Sequence, residues 1–332
     1  MESNAIQTYE VSVYLYTMKI NIYAAFILIF FFPISSCAQE NEEVETLVTE
    51  NENLSKSFGN PESKGVFRNG LLDEASGIAA SRKYPEAMWV HNDSGNDPVL
   101  YLIDHEANIL KSYFLEGIEN RDWEDITIGP GPEPNKDYLY LGDIGDNLRI
   151  YEDKIIYRFP EPTYRASDGV SVDTVSNFDV LSFSYPDQNQ DAEVLMIDPS
   201  TQDLYIVAKS QGEPTLYRLP ADQLQAGEKI TAEIVGKAEI SGSGILSLAT
   251  AGDISPDGKE VLVKTYGRVF YWKRDNNEIS ISELLSSNPD TLRYTPEPQG
   301  EAITFSLDPD GFFTLSEKRF GQNPVLYFYP RK

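Results

Sequence analysis

From about residue 66 onward, short apolar runs alternate with tight polar turns, and no run of ordinary helical length carries the 3.6-residue spacing of an amphipathic helix. The runs also repeat. A unit recurs five times, each opening on a short motif that ends in a branched apolar residue: SGI at 76, EDI at 124, EVL at 193, GDI at 252 and EAI at 301. A turn follows, clearest in DPS at 198, SPDG at 255 and DPDG at 308, where Pro and Gly supply the backbone angles that a reversal requires. Next comes an apolar strand with a polar tip: MWVHNDSG at 88, LYLGDIGDN at 139, LYIVAKS at 204, EVLVKTYG at 260 and FFTLSEKR at 312. A third, aromatic strand closes the recurring part: LYLID at 100, IYRFP at 156, LYRLP at 216, VFYWK at 269 and LYFYP at 326. More variable segments such as KSYFLEG at 111, FDVLSFSY at 178 and EIVGKAEI at 233 supply a fourth strand between units.

Four antiparallel strands per repeat, with 48 residues from Ser76 to Glu124 and 69 from Glu124 to Glu193, predict an all-β fold, a β-propeller of five four-stranded blades. The last repeat reaches the C-terminus without its fourth strand. SKGVFRNGLL, 63 to 72, can supply it, so that an N-terminal strand closes the ring and leaves no open edge. Six blades are the alternative, because the stretch 161 to 190 is long enough to hide a divergent one.

The propeller domain is expected over 61–332. Before it, Ala24 to Phe32 is an apolar run too short to span a bilayer, preceded by Lys19 and followed by ISSCAQE. Residues 1–37 therefore read as a lipoprotein signal peptide. Residues 1 to 17 lack Lys and Arg, so Met18 is a candidate initiator. Ile34-Ser35-Ser36-Cys37 resembles a lipobox, and Cys37, the only cysteine, would carry the lipid; ordinary cleavage after Ala38 is the alternative. Residues 38–60 are polar and Glu-rich, the composition of a flexible tether. An acidic run after a lipobox Cys also resembles the surface-export signal of Bacteroidota lipoproteins. The expected location is the outer membrane, held through a lipid anchor, with the domain exposed at the cell surface.

The 332 residues carry a net charge of −26, which argues against nucleic acid and anionic lipid surfaces as partners. A monomer is expected. With 41% hydrophobic and 12% aromatic residues the chain can fill a sizeable core.

In a propeller the first strand of each blade lines a central channel. The first motifs contribute Ser76, Glu124, Glu193, Gly252 and Glu301 to it. Aligning the second strands by apolar alternation puts Asp93, Asp143, Lys209, Lys264 and Glu317 at one tip position. Crowded carboxylates raise one another's pKa, so protonation, internal Glu–Lys pairing, a bound hard cation or a wide hydrated channel must relieve them. Candidate cation ligands are Asp93, Asp143, Glu124, Glu193, Glu301 and Glu317, all oxygen donors, which suit Ca2+. One Cys with His91 and His105 cannot make a zinc cluster. HNDSGND at 91 and DIGDN at 143 lack EF-hand spacing, GSG at 242 lacks that of a phosphate loop, and no G-x-S-x-G occurs. His91, Asp93, Glu124 and Asp143 are the candidate catalytic groups. His91, on the same strand face as Asp93, would be a general base at the channel mouth. Trp89, Trp123 and Trp272 read as core.

SGIAAS with HNDSG, DWEDI with GDIGDN, and EAI with LSEK resemble the secreted bacterial phytase-like propellers, also labelled esterase-like, over roughly residues 66 to 330. The resemblance implies a carboxylate-lined calcium centre, with Lys209, Lys264 and Lys318 as groups that hold substrate phosphates. The dense acidic calcium signature of true phytases is missing here. Two functions follow as expectations: a calcium-dependent hydrolase of an anionic small molecule, phosphoester-type, or a non-catalytic surface propeller that binds a glycan, peptide or protein.

Overall fold

A computed structural model describes residues 54–210 and 212–332. The segment expected to be a signal peptide, Cys37 and most of the expected tether lie outside the described residues. The chain forms five small sheets. Sheet one holds β2 (Ala75–Ala80), β3 (Ala87–Asn92), β4 (Val99–Asp104) and β5 (Ile109–Leu115), in that order, with β9 (Val172–Val175) added outside β5. Sheet two holds β6 (Trp123–Pro130), β7 (Asp137–Asp143), β8 (Lys154–Pro160) and β10 (Asp179–Ser184), with β14 (Lys229–Thr231) outermost. Sheet three is β11 (Ala192–Ile197), β12 (Leu204–Ala208), β13 (Thr215–Leu219) and β15 (Glu233–Lys237). Sheet four is β16 (Ala249–Ile254), β17 (Glu260–Thr265), β18 (Val269–Lys273) and β19 (Asp290–Leu292). Sheet five is β20 (Gly300–Ser306), β21 (Gly311–Ser316), β22 (Val325–Pro330) and, outermost, β1 (Glu62–Val66).

The first strands touch in the cycle β2, β6, β11, β16, β20 and back to β2, which is a closed five-bladed propeller. β1 pairs antiparallel with β22, Val66 opposite Val325, so the N-terminal strand closes the ring as its sequence suggests. The stretch 161 to 190 holds no sixth blade. It supplies β9, parallel to β5 of sheet one, before entering β10 of sheet two.

Second strands are buried, apart from Asp137 at the start of β7, because each blade is sandwiched between two others. The core accordingly lies in five seams. Trp89 and Leu139 share the seam between blades one and two, Ile156 and Ile206 the next, and Val194 and Val263 the third. Leu262 and Phe312 meet in the fourth, Val90 and Phe313 in the fifth. A short helix, α1 (Ile281–Leu285), starts at a capping box between Ser280 and Glu283 and buries Ile281, Leu284 and Leu285 in the third seam.

Phe58, inside the segment expected to be tether, is a core residue, edge-on to Tyr271 and Phe312 at ring distances of 5.5 and 5.0 Å. Its neighbour Gly59 donates its amide to Pro330 O. A single aromatic between polar residues gives no periodic signal, which is why the boundary reads too late in the sequence. Among the described residues no helix is long and apolar enough to cross a membrane.

Candidate metal centre at the channel mouth

Every first strand carries one extra residue near its start. The ladder slips between Ala75 and Gly77, Trp123 and Asp125, Ala192 and Val194, Ala249 and Ala251, and Gly300 and Ala302. The bulged residues are Ser76, Glu124, Glu193, Thr250 and Glu301, all buried at the same end of the ring. Ser76 and Thr250 give their hydroxyls to backbone carbonyls of the next blade, Glu124 O at 2.8 Å and Gly300 O at 3.1 Å. The three glutamates are buried at that same end of the ring.

The register corrects two alignments. Thr250, not Gly252, is the fourth blade's member of the inner ring. On the second strands, Asp93, Lys209 and Glu317 are equivalent, each donating its amide to a carbonyl just before the facing first strand: Glu74, Asp191 and Gln299. Asp143 sits one residue earlier, opposite Trp123, and Lys264 two residues earlier, opposite Ala251. Apolar alternation has period two, so it cannot detect a two-residue slip, and the bulges hide a one-residue slip.

Asp93 from blade one and Asp122 and Glu124 from blade two bring carboxylate oxygens within 4.8 Å of one another. Glu124 is 4% exposed, and the other two are half-buried. Burial, then Asp93 and Asp122, pushes the Glu124 carboxyl well above the usual range. Burial, then the neighbouring Glu301, Asp122 and Glu74, takes Asp93 up to about 7 despite the Ser94 amide on its carboxylate. Burial, then Asp191, takes Asp122 to about 6.

Gly145 makes the approach possible: a Cβ there would lie 2.2 Å from Glu124 Oε1 and 2.6 Å from Asp122 Cγ. Asp122 was missed in the sequence. It lies one residue before β6, and the bulge at Glu124 breaks the alternation that would have linked the two in the sequence.

The remaining predicted groups separate into two sets. Glu301 and Glu317 border the cluster. Burial and Glu301 raise the Glu317 carboxyl, while Glu301 accepts from the Tyr266 hydroxyl at 2.6 Å and from Gln299 Nε2 at 3.1 Å. Glu193 is held by Lys209, and its second oxygen, buried, has no partner among the described residues. Asp143 is tied up by Arg121, whose Nε lies 2.9 Å from it and whose guanidinium stacks on Tyr151.

Lys264 is fully buried 3.4 Å from Glu297, in a space that a Cβ on Gly300 would fill. Lys318 pairs with Asp73 at the rim, 2.8 Å away. His91 is not at the mouth. It lies fully buried, edge-on to Trp123 at 5.8 Å, with Nδ1 3.0 Å from Asn92 O and Nε2 unpartnered over Gly77. Burial holds it down to about 4, so it is neutral and screened from solvent, because the blade seam claims the face that alternation had assigned to the channel.

No family model matches the chain, and no curated protein matches it. Among solved structures, a luciferin-regenerating enzyme aligns over 81% of this chain and 94% of that chain with a TM-score of 0.43 and 9% identity, a likeness too slight to bear on function.

A hard divalent cation fits the cluster on two grounds. The donor set is entirely carboxylate oxygen, and Gly145 leaves room for convergence that any other residue would occupy.

Proposed function

We propose that the protein is an exported, lipid-anchored propeller that holds Ca2+ at its channel mouth through Asp93, Asp122 and Glu124 and there hydrolyses an anionic small molecule of the phosphoester type. The observation that carries the reading is the convergence of three carboxylates with raised pKa values around a glycine that admits them. When bound, Ca2+ would neutralise charge on the substrate oxygens. Lys209, held at the edge by Glu193, adds positive charge beside Glu124, and Tyr266 and Gln299 keep Glu301 oriented.

The second reading, a non-catalytic binding propeller, draws on a different observation. Lys209, Lys264 and Lys318 each already face a carboxylate, so none is a free phosphate clamp. A calorimetric Ca2+ titration of the parent and of Glu124→Gln, followed by phosphatase and esterase substrates with Ca2+ or EDTA, tests both. Ca2+ binding lost in Glu124→Gln with EDTA-sensitive turnover supports the hydrolase. Binding without turnover supports the second reading, and no Ca2+ binding removes the cation from both.

Export rests on Cys37 and the apolar run before it. Cys37→Ala should release the protein from the membrane fraction, and retention of the substituted protein there would overturn the lipid anchor.

A further inference from the structure

The segment between β1 and β2 crosses from the fifth blade to the first at the channel-mouth end, and most of it is held in place. Phe67 is a core residue whose amide donates to Pro324 O at 3.0 Å, and Leu72 is fully buried. Leu71 O accepts from Asn92 Nδ2 at 2.8 Å, and Asp73 O accepts the Lys318 amide at 2.6 Å. Glu74 donates its amide to Asn92 Oδ1 at 3.2 Å, and its carbonyl accepts the Asp93 amide at 2.7 Å. The segment is therefore a strap over two second-strand tips, Asn92 and Asp93 in the first blade and Glu317 and Lys318 in the fifth.

Between its fixed points the strap stands in solvent at Asn69 and Gly70. Of all the asparagines in the chain, only Asn69 precedes a glycine. The local geometry of the pair favours one chemistry. Asn69 Oδ1 accepts the Leu71 amide at 3.0 Å, which folds the side chain back along its own backbone and draws electron density from the Cγ carbonyl. The Gly70 amide makes no hydrogen bond among the described residues, so no partner occupies its proton. A Cβ at Gly70 would meet nothing within 4 Å, and φ there is +73, so the approach to this nitrogen is open to solvent and free of any side chain.

We infer that Asn69–Gly70 is a site of spontaneous deamidation, and that the reaction slackens the strap over the channel mouth. The Gly70 amide nitrogen loses its proton to hydroxide and attacks Asn69 Cγ. A bond from that nitrogen to Cγ forms, the Cγ–Nδ2 bond breaks, and Nδ2 takes a proton from water and leaves as ammonia, which gives a cyclic imide. Water then opens the ring. Cleavage of the bond to Cγ leaves an aspartate in the ordinary chain. Cleavage of the bond to the backbone carbonyl carbon leaves the chain running through Cβ and Cγ, with the α-carboxylate free.

The second product lengthens the main chain by one atom between Phe67 and Leu72, adds a negative charge to the strap, and takes the acceptor away from the Leu71 amide. Leu71 O then loses its fixed place over Asn92, the residue before Asp93. No group of the carboxylate cluster takes part, so the inference stands apart from the cation reading.

The test follows the full chain through storage at pH 6 and pH 8, folded and in urea, by peptide mapping with fragmentation that separates the two aspartate linkages. In the folded protein the peptide spanning Asn69 should exchange NH2 for OH ahead of every other asparagine, faster at pH 8, and at least as fast as in urea. Slower conversion in the folded protein would show that the strap protects the pair and would overturn the site. Hydrogen exchange reads the consequence: in aged parent protein the amides of 88–96 and 316–320 should lose protection relative to fresh protein. Asn69→Ser, whose hydroxyl can still accept the Leu71 amide, should show neither change. Loss of protection in aged Asn69→Ser, or none in the converted parent, overturns the slackening.

Discussion

Gly145 separates the needs of the site from those of the fold. Its φ lies outside the left-handed region, so Ala is conformationally acceptable there, and what a Cβ would meet are carboxylate ends that can swing aside. Gly145→Ala should therefore keep the melting temperature in EDTA within a few degrees while weakening Ca2+ about tenfold or more, because the ligands can no longer converge. Parent-like Ca2+ affinity in this variant would mean that the triad is not the site.

The same groups fix the pH behaviour. Asp93 at about 7 and Asp122 at about 6 are carboxyls raised above their unfolded values. Native protein keeps their protons where the unfolded chain has lost them, so their contribution is full below about pH 4 and is lost as pH rises through about 6 to 7. His91, lowered to about 4, has the opposite slope, favouring the native state above about 6.5 and losing that contribution as pH falls. The carboxyls outnumber it. Melting in EDTA should therefore be highest near pH 4 and fall towards pH 7.5, and added Ca2+ should flatten or reverse the trend by competing with protons for the same oxygens. A melting temperature that rises across this range in EDTA would show that these carboxylates are relieved within the folded chain.

At the scale of the element, β1 and the residues just before it matter more than their composition suggests. Deleting 62–66 exposes the ladder edge of β22, and Phe58→Ala empties a pocket walled by Tyr271 and Phe312. A buried Phe→Ala change costs about 3–5 kcal/mol, on the order of 10 °C in melting temperature for a domain of this size. Calorimetry on Phe58→Ala should show that fall, whereas removing residues 38–52 should show almost none. An unshifted Phe58→Ala protein would place the start of the folded domain later, where the sequence suggests it. Blade number and closure were legible because each blade repeats its apolar strands and only the last lacks a partner. Register was not, because period-two alternation is blind to the two-residue slip that put Gly252 in place of Thr250 and Lys264 beside Lys209. Of the triad, Asp93 and Glu124 were legible because the repeats bring their positions to one end of the ring, whereas Asp122 was not, because it lies one residue before β6 and outside the repeated motif.

On the scale of the whole molecule, the ring is held at its centre as well as at its seams. Asp125, fully buried one residue after the bulged Glu124, accepts the amides of Leu195 at 2.9 Å and Gly252 at 3.4 Å through Oδ2, and that of Ile126 at 2.9 Å through Oδ1. One side chain on β6 thus terminates backbone donors on β11 and β16, joining three consecutive blades. Burial still raises its carboxyl well above the usual range, so the three amides only partly offset the loss of water. Asp125→Ala leaves those donors buried without acceptors, at about 1–3 kcal/mol for each fully orphaned group. The summed cost should approach that of removing a core aromatic, although the change deletes almost no apolar surface. Urea unfolding can tell these mechanisms apart: the midpoint of Asp125→Ala should drop by several kcal/mol equivalents while the slope stays that of the parent, since the same surface is exposed on unfolding. A lower slope would mean that blades two, three and four come apart separately once the central carboxylate is gone, and an unchanged midpoint would mean that the seams alone hold the ring.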